Sequence, residues 1–175
     1  MTNPQCYAGI DPGISGGVAF YFPAAPERVA VYDMPTIDGR VNAVALSQLF
    51  EQFLPAGVII EATGARPGQG VTSMFNFGKA TGTAIGVAAA HKVPMQSPTP
   101  QKWKKHFGLT NDKSHSRRRA VERWPTCADQ FAKVKDHNKA EAAFLALYAA
   151  EVAFRQVEPC FAERPMKKTR GLTKA

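Results

Sequence analysis

The sequence predicts an α/β fold, a mixed five-stranded sheet flanked by helices, and three observations carry that reading. Two extended runs joined by a Gly/Pro turn open the chain, as in a β-hairpin. A short β-branched run, Val58-Ile59-Ile60, reads as a buried central strand, and helical apolar spacing alternates with extended segments from Val41 onward.

The hairpin starts with Tyr7 to Ile10, stops at Asp11, turns at Pro12-Gly13 and resumes after Gly16-Gly17 through Val18 to Phe22. Val29 and Val31 alternate with other residues between Arg28 and Tyr32, which predicts a third strand before a polar loop holding Pro35 and Gly39. Val41, Val44, Ala45, Leu49 and Phe53 recur at helical spacing and predict an amphipathic helix to about Leu54, ended by Pro55 and Gly57. After the strand at 58–60, Glu61 stops the apolar run and a Gly-rich loop follows from Gly64 to Gly70. Thr72 to His91 predicts a helix whose small residues, Gly78, Gly82 and Gly86 among them, suit close packing on a sheet, although each Gly weakens the isolated helix. Val93 to Gln96 predicts the fifth strand. Beyond Pro100 the chain reads as helix and loop, with a helix from about Lys139 to Phe154. One domain, residues 1–157, is expected, followed by a basic tail, 158–175, expected to be disordered.

With 175 residues and 45% apolar content the chain can bury one full core. Its apolar runs are broken well short of the roughly 18 residues a membrane span needs, and no basic start leads into an apolar signal segment, so a cytoplasmic protein without membrane contact is expected. Cys6, Cys127 and Cys160 are odd in number and widely spaced, which predicts reduced thiols rather than a disulfide framework or a zinc site. The net charge is +8, and its distribution is uneven. Lys102, Lys104, Lys105, Lys113, Arg117, Arg118, Arg119, Arg123, Lys133 and Lys135 crowd one segment against only Asp112, Glu122 and Asp129. Cations at this density favour a polyanion through counterion release, so nucleic acid is the expected partner. In Arg117-Arg118-Arg119 at most two side chains can share a helix face, so part of that run is expected to be solvated.

Asp11 and Glu61 both stand where an apolar strand stops, and neighbouring strands would bring their carboxylates together. Two such groups repel one another and resist ionisation unless a cation joins them; hard divalent ions prefer oxygen ligands, so Mg²⁺ or Mn²⁺ is implied. Glu141 adds a third acid in the first turn of the last helix, with Asn138 three residues earlier on the same side and Asp136 and His137 just before. Each residue also has a purely structural reading: Asp11 as a turn residue, Glu61 as a strand end, and Asn138 with Glu141 as a capping box. Trp103 and Trp124 read as core anchors, as does Phe77.

Taken jointly, these features resemble the RuvC family of RNase H-like nucleases: Asp11-Pro12-Gly13 after the first strand, Glu61 after the fourth, and Ala140-Glu141-Ala142 in the late helix. Phe77-Gly78-Lys79-Ala80-Thr81-Gly82 resembles that family's Gly-containing helix, and Val93-Pro94 with Gln101-Lys102-Trp103-Lys104 its strand and basic segment. The resemblance spans Tyr7 to about Ala150. It implies an RNase H-like fold, a homodimer, and paired symmetric cuts of a four-way (Holliday) DNA junction by two divalent metals per active site, with no small-molecule cofactor. By position, Asp11 would bridge both metals and Glu61 and Glu141 would each help hold one, while Lys104 and Lys113 would stand near the scissile phosphate. In the loop after the second acid, Arg66 and Gln69 would reach the junction centre with nearby Phe75, and Lys79, Lys105, Arg117 and Arg118 would follow the DNA backbone. One position departs from the pattern. The family usually has Asp or His three residues before the final acid, whereas Asn138 stands here, either as an inactivating replacement or with His137 or Asp136 taking its place. An amide oxygen can ligate a metal but brings no negative charge. Two rivals follow: a junction-binding protein that cuts weakly or not at all, and an actin-like or sugar-kinase-like nucleotide-binding domain, since Asp11, Gly13 and Gly16-Gly17 also suit a phosphate-binding hairpin.

Overall fold

The computed structural model describes residues 5–62, 64, 68 and 70–154. The expected disorder of the tail, and the Arg66 and Gln69 proposals, lie outside the described residues. Among the described residues, seven strands and five α-helices follow in the order β1 (Tyr7–Asp11), β2 (Gly17–Tyr21), β3 (Val29–Asp33), β4 (Thr36–Ile37), β5 (Arg40–Val41), α1 (Ala43–Phe53), β6 (Val58–Ile60), α2 (Val71–Ala90), β7 (Met95–Gln96), α3 (Pro100–His106), α4 (Lys113–Arg123) and α5 (His137–Tyr148). Short 3₁₀ segments at Pro125–Phe131 and Val134–Asp136 lead into α5, which widens into a π turn over Ala149–Ala153.

The main sheet has the order β3-β2-β1-β6-β7, antiparallel from β3 to β1 and parallel from β1 to β7. The five strands expected from the sequence are all in it. The loop expected after β3 instead folds into a separate two-stranded hairpin, β4-β5, and Val41 belongs to β5 rather than to the helix. Asn42 caps α1 by accepting from the Ala45 N–H at 3.1 Å, and Leu54 closes it in the left-handed conformation (φ 49°).

Helices cover both sheet faces. Because side chains alternate along a strand, Ala8, Ile10, Val18, Phe20, Val58 and Ile60 pack on α1 and α2, whereas Tyr7, Ala19, Tyr21 and Ile59 pack with α5, Trp103 and Trp124. Both tryptophans are fully buried, as expected. α5 lies almost against the backbone of β1: a Cβ at Gly9 would sit 2.2 Å from the Ala142 carbonyl oxygen and from the Ala146 nitrogen. Gly17 makes the same allowance at the start of the helix, where a Cβ would come within 3.0 Å of the Asn138 backbone carbonyl oxygen and the Lys139 Cα.

The glycines of α2 do not do this. Ala80, Ala84, Val87 and Ala88 form its buried face, and Gly78, Gly82 and Gly86 point the other way, with nothing within 4 Å of a Cβ at any of them. The two sets are offset by two residues, about 200° around a helix, so only one can face the sheet.

Candidate active site

The site follows from strand register. Ile10 pairs with Ile60 in parallel, and the Glu61 N–H donates to the Ile10 carbonyl at 3.0 Å, so Asp11 and Glu61 leave adjacent strands at the same level. Tyr7 and Gly9 face α5, and so does Ile59; two residues further on each strand, Asp11 and Glu61 continue that face. Asp11 is also the register partner of Gly17, the residue over which α5 begins. The helix start therefore brings Asn138 and Glu141 to the same end of the sheet.

The three acids share one electrostatic neighbourhood. Burial, and then repulsion from Glu141, pushes the Asp11 carboxyl up to about 6, although the Gly13 N–H and the charges of Lys104 and Lys113 oppose the shift. Burial, then repulsion from Asp11, pushes Glu61 up to about 7; a hydrogen bond from Trp103 lowers it, Glu141 raises it and Lys104 lowers it. The Trp103 indole Nε1–H donates to one oxygen of Glu61 at 3.0 Å. Glu141 accepts on a single oxygen from Lys104 Nζ at 2.8 Å and from the Ser116 hydroxyl at 3.2 Å. Both members of the Lys104–Glu141 ion pair are only 12% exposed.

Asp11, Glu61, Lys113 and Asn138 line an open pocket of about 460 Å³, whose other wall carries Ser73, Asn76 and Phe77 from the first turns of α2. Phe77 is half-buried there and belongs to neither core cluster, so it lines the pocket rather than anchoring the core as expected. Phe75 is 65% exposed, with Lys79 Nζ 4.7 Å from its ring centroid.

The capping-box reading of Asn138 and Glu141 does not hold. α5 begins at His137 with Asp136 as its cap residue, Glu141 turns to Lys104 and Ser116, and the Asn138 amide donates to the Ser15 carbonyl. Asp136 is buried in a structural role, accepting from the Lys133 N–H at 2.8 Å and pairing with Lys139 at 2.9 Å. His137 donates its Nδ1–H to the Val134 carbonyl at 3.0 Å and is not among the pocket's lining residues. Of the basic residues, Lys105, Lys113 and Arg118 are exposed, whereas the Arg117 guanidinium donates to the carbonyls of Phe131 and Ala132. Sequence reasoning missed Ser15, Ser73, Asn76 and Ser116 altogether, and it saw Trp103 only as a core anchor.

The donor set suits a hard divalent cation. It consists of carboxylate and amide oxygens, and two of the carboxylates are partly buried where their charge is poorly compensated. Among the described residues no group of three or more His, Cys, Asp or Glu side chains is placed to hold a metal ion as the side chains stand. The acids are near enough to perturb one another, and Glu141 is turned toward Lys104. No described helix is long and apolar enough to cross a membrane.

No family model matches the sequence, and no curated protein matches it. Solved structures do. A Thermus thermophilus RuvC in complex with a Holliday junction substrate superimposes with a TM-score of 0.62 at 18% identity, covering 87% of this chain and 96% of that one. A second Thermus thermophilus RuvC structure gives 0.57 at 17% identity, covering 85% and 97%. The yeast mitochondrial Holliday junction resolvase gives 0.52 at 15%, covering 82% and 76%. The mixed sheet, its helical layers and these superpositions together show that the chain shares the fold of these RuvC and resolvase structures.

Proposed function

We propose that the protein is a metal-dependent endonuclease that resolves four-way or other branched DNA junctions by phosphodiester hydrolysis. The observation that carries this reading is the pair Asp11 and Glu61 lining one open pocket, with Glu141 near enough to repel both, on a basic protein. The likeness in fold to a RuvC bound to a Holliday junction substrate supports the choice of DNA. Asp11, Glu61 and Glu141 would hold Mg²⁺ or Mn²⁺, two per site, with the Asn138 amide oxygen as an uncharged fourth donor; His137, turned to the Val134 carbonyl, is left out of the set. Bound cations would lower the pKa of an attacking water and offset charge that develops during in-line displacement.

The protein's own groups do the rest. Lys113, exposed on the pocket wall, meets the phosphate, and Lys79, Lys105 and Arg118 follow the backbone on either side. Lys104 and Arg117, engaged with Glu141 and with backbone carbonyls, contribute charge more than reach. Arg66 and Gln69 are proposed to contact the junction centre. Paired cuts require two copies of the site, so a homodimer is part of this proposal.

The test is nicking of a labelled four-way junction beside a linear duplex of the same sequence, with Mg²⁺, with Mn²⁺ and with chelator. Metal-dependent cutting of the junction, abolished by Asp11→Asn, is expected. Tight junction binding without cutting in either metal would leave only a binding protein, and equal cutting of both substrates would remove the structure selectivity.

A further inference from the structure

Two of the three acids are held from behind by neutral donors that belong to a different part of the chain. Trp103 is fully buried and gives its only side-chain hydrogen-bond donor to Glu61. Ser116 is one of only two polar or charged residues among the described residues classed as buried, and its hydroxyl goes to Glu141. Both donors come from the α3–α4 segment, which also supplies Lys104 to the same oxygen of Glu141 that Ser116 reaches. Each carboxylate therefore has one oxygen fixed by this segment and a second that accepts from no described donor.

We infer that Trp103 and Ser116 are positioning residues, orienting Glu61 and Glu141 so that the second oxygen of each is presented to a divalent cation. The inference rests on the proposed metal-dependent reading and deepens it. A flexible glutamate loses rotamer freedom when it ligates, and a donor that already fixes one oxygen removes that loss from the binding step. A buried indole could have satisfied its N–H with a backbone carbonyl, as most buried donors do. Its use on a carboxylate one residue beyond the parallel register ties α3 to the end of β6.

The experiment is titration of the full-length chain with Mn²⁺, followed by electron paramagnetic resonance of the free ion, with the Mn²⁺ dependence of junction cutting measured in parallel. Trp103→Phe and Ser116→Ala are each expected to weaken Mn²⁺ about tenfold, moving the Mn²⁺ midpoint for cutting to higher concentration while leaving the rate at saturating Mn²⁺ near that of the parent. Ser116→Thr keeps the hydroxyl and is expected to restore the midpoint. Should Trp103→Phe fail to fold, a benzothienyl-alanine at that position keeps the ring shape and removes only the N–H. Unchanged Mn²⁺ affinity in folded variants, or a lower saturating rate with no shift in midpoint, overturns the inference while the nuclease reading stands. A parent chain that binds no Mn²⁺ removes both.

Discussion

Replacing Glu61 by Gln should make the metal-free protein more stable, and the size of the gain can be worked from the site. The carboxyl is moved from an ordinary value of 4.5 to about 7, chiefly by burial and by Asp11. At about 1.4 kcal/mol per pKa unit, this corresponds to a penalty of about 3 kcal/mol for carrying the charge in the folded state. A raised folded pKa means that the native state prefers the protonated acid. The contribution to stability is complete below pH 4.5, is lost as pH rises from there through about 7, and is absent above. Gln is uncharged at every pH, and its amide oxygen can still accept from Trp103. Urea denaturation in chelator should therefore show parent and variant nearly equal at pH 4.5 and the variant more stable by ~2–3 kcal/mol at pH 8. Mg²⁺ added at pH 8 should stabilise the parent and narrow the gap. A variant less stable than the parent at pH 8, or a gap that does not change with pH, would refute the claim that this site stores uncompensated charge. Asp11 is itself pushed up to about 6 and contributes to the shift of Glu61, so the gains from Asp11→Asn and Glu61→Gln should sum to more than the double variant shows.

Three further outcomes are expected. Asn138→Asp removes the donor to the Ser15 carbonyl and sets a carboxylate against it, which should cost about 1–3 kcal/mol in chelator by thermal unfolding; a stable variant that cuts junctions faster would instead identify the position as a missing ligand. Gly9→Ala places a methyl 2.2 Å from two backbone atoms of α5 and should cost about 3 kcal/mol or more, read as loss of the cooperative unfolding transition at 37 °C; a native-like melt would contradict the packing described. Gln130 accepts from the Val31 N–H and donates to the Val29 carbonyl, both at 3.3 Å, so it covers the outer edge of β3. Gln130→Ala should lose about 1 kcal/mol and aggregate at lower concentration, measured by light scattering.

The strands and two of the acids were legible because a strand's pattern is local. An apolar run that ends in a carboxylate reads the same whether or not its neighbours are known, and Asp11 and Glu61 needed only adjacency to meet. Glu141 was legible as a helix-start acid, but its direction was not: Asn138 and Glu141 have the spacing of a capping box, and the decision for Lys104 and Ser116 comes from a segment 25 to 37 residues earlier in the chain. The β4–β5 hairpin was missed because two-residue strands leave no alternation to detect. The facing of α2 was misjudged because Ala80, Ala84 and Ala88 and the three glycines are all small, so hydropathy does not distinguish the sides. Trp103 gave no sign of its second role, since a buried indole reads as core wherever its N–H points.

The same two glycines that let α5 approach the sheet also set the site. Gly17 is the partner of Asp11 in the β1–β2 register, and α5 begins directly above it. If α5 moved outward by the depth of one methyl group, Asn138 would leave Ser15, and Glu141 would move away from Asp11 while Lys104 still held it. Packing and chemistry are thus one constraint at this end of the sheet. The penalty calculated for Glu61 comes first from burial and then from Asp11 on the adjacent strand, and Glu141 on the packed helix adds to it, because acids fixed at this end of the sheet cannot separate to relieve their repulsion. A cation, a proton or the neighbouring lysine must do so instead.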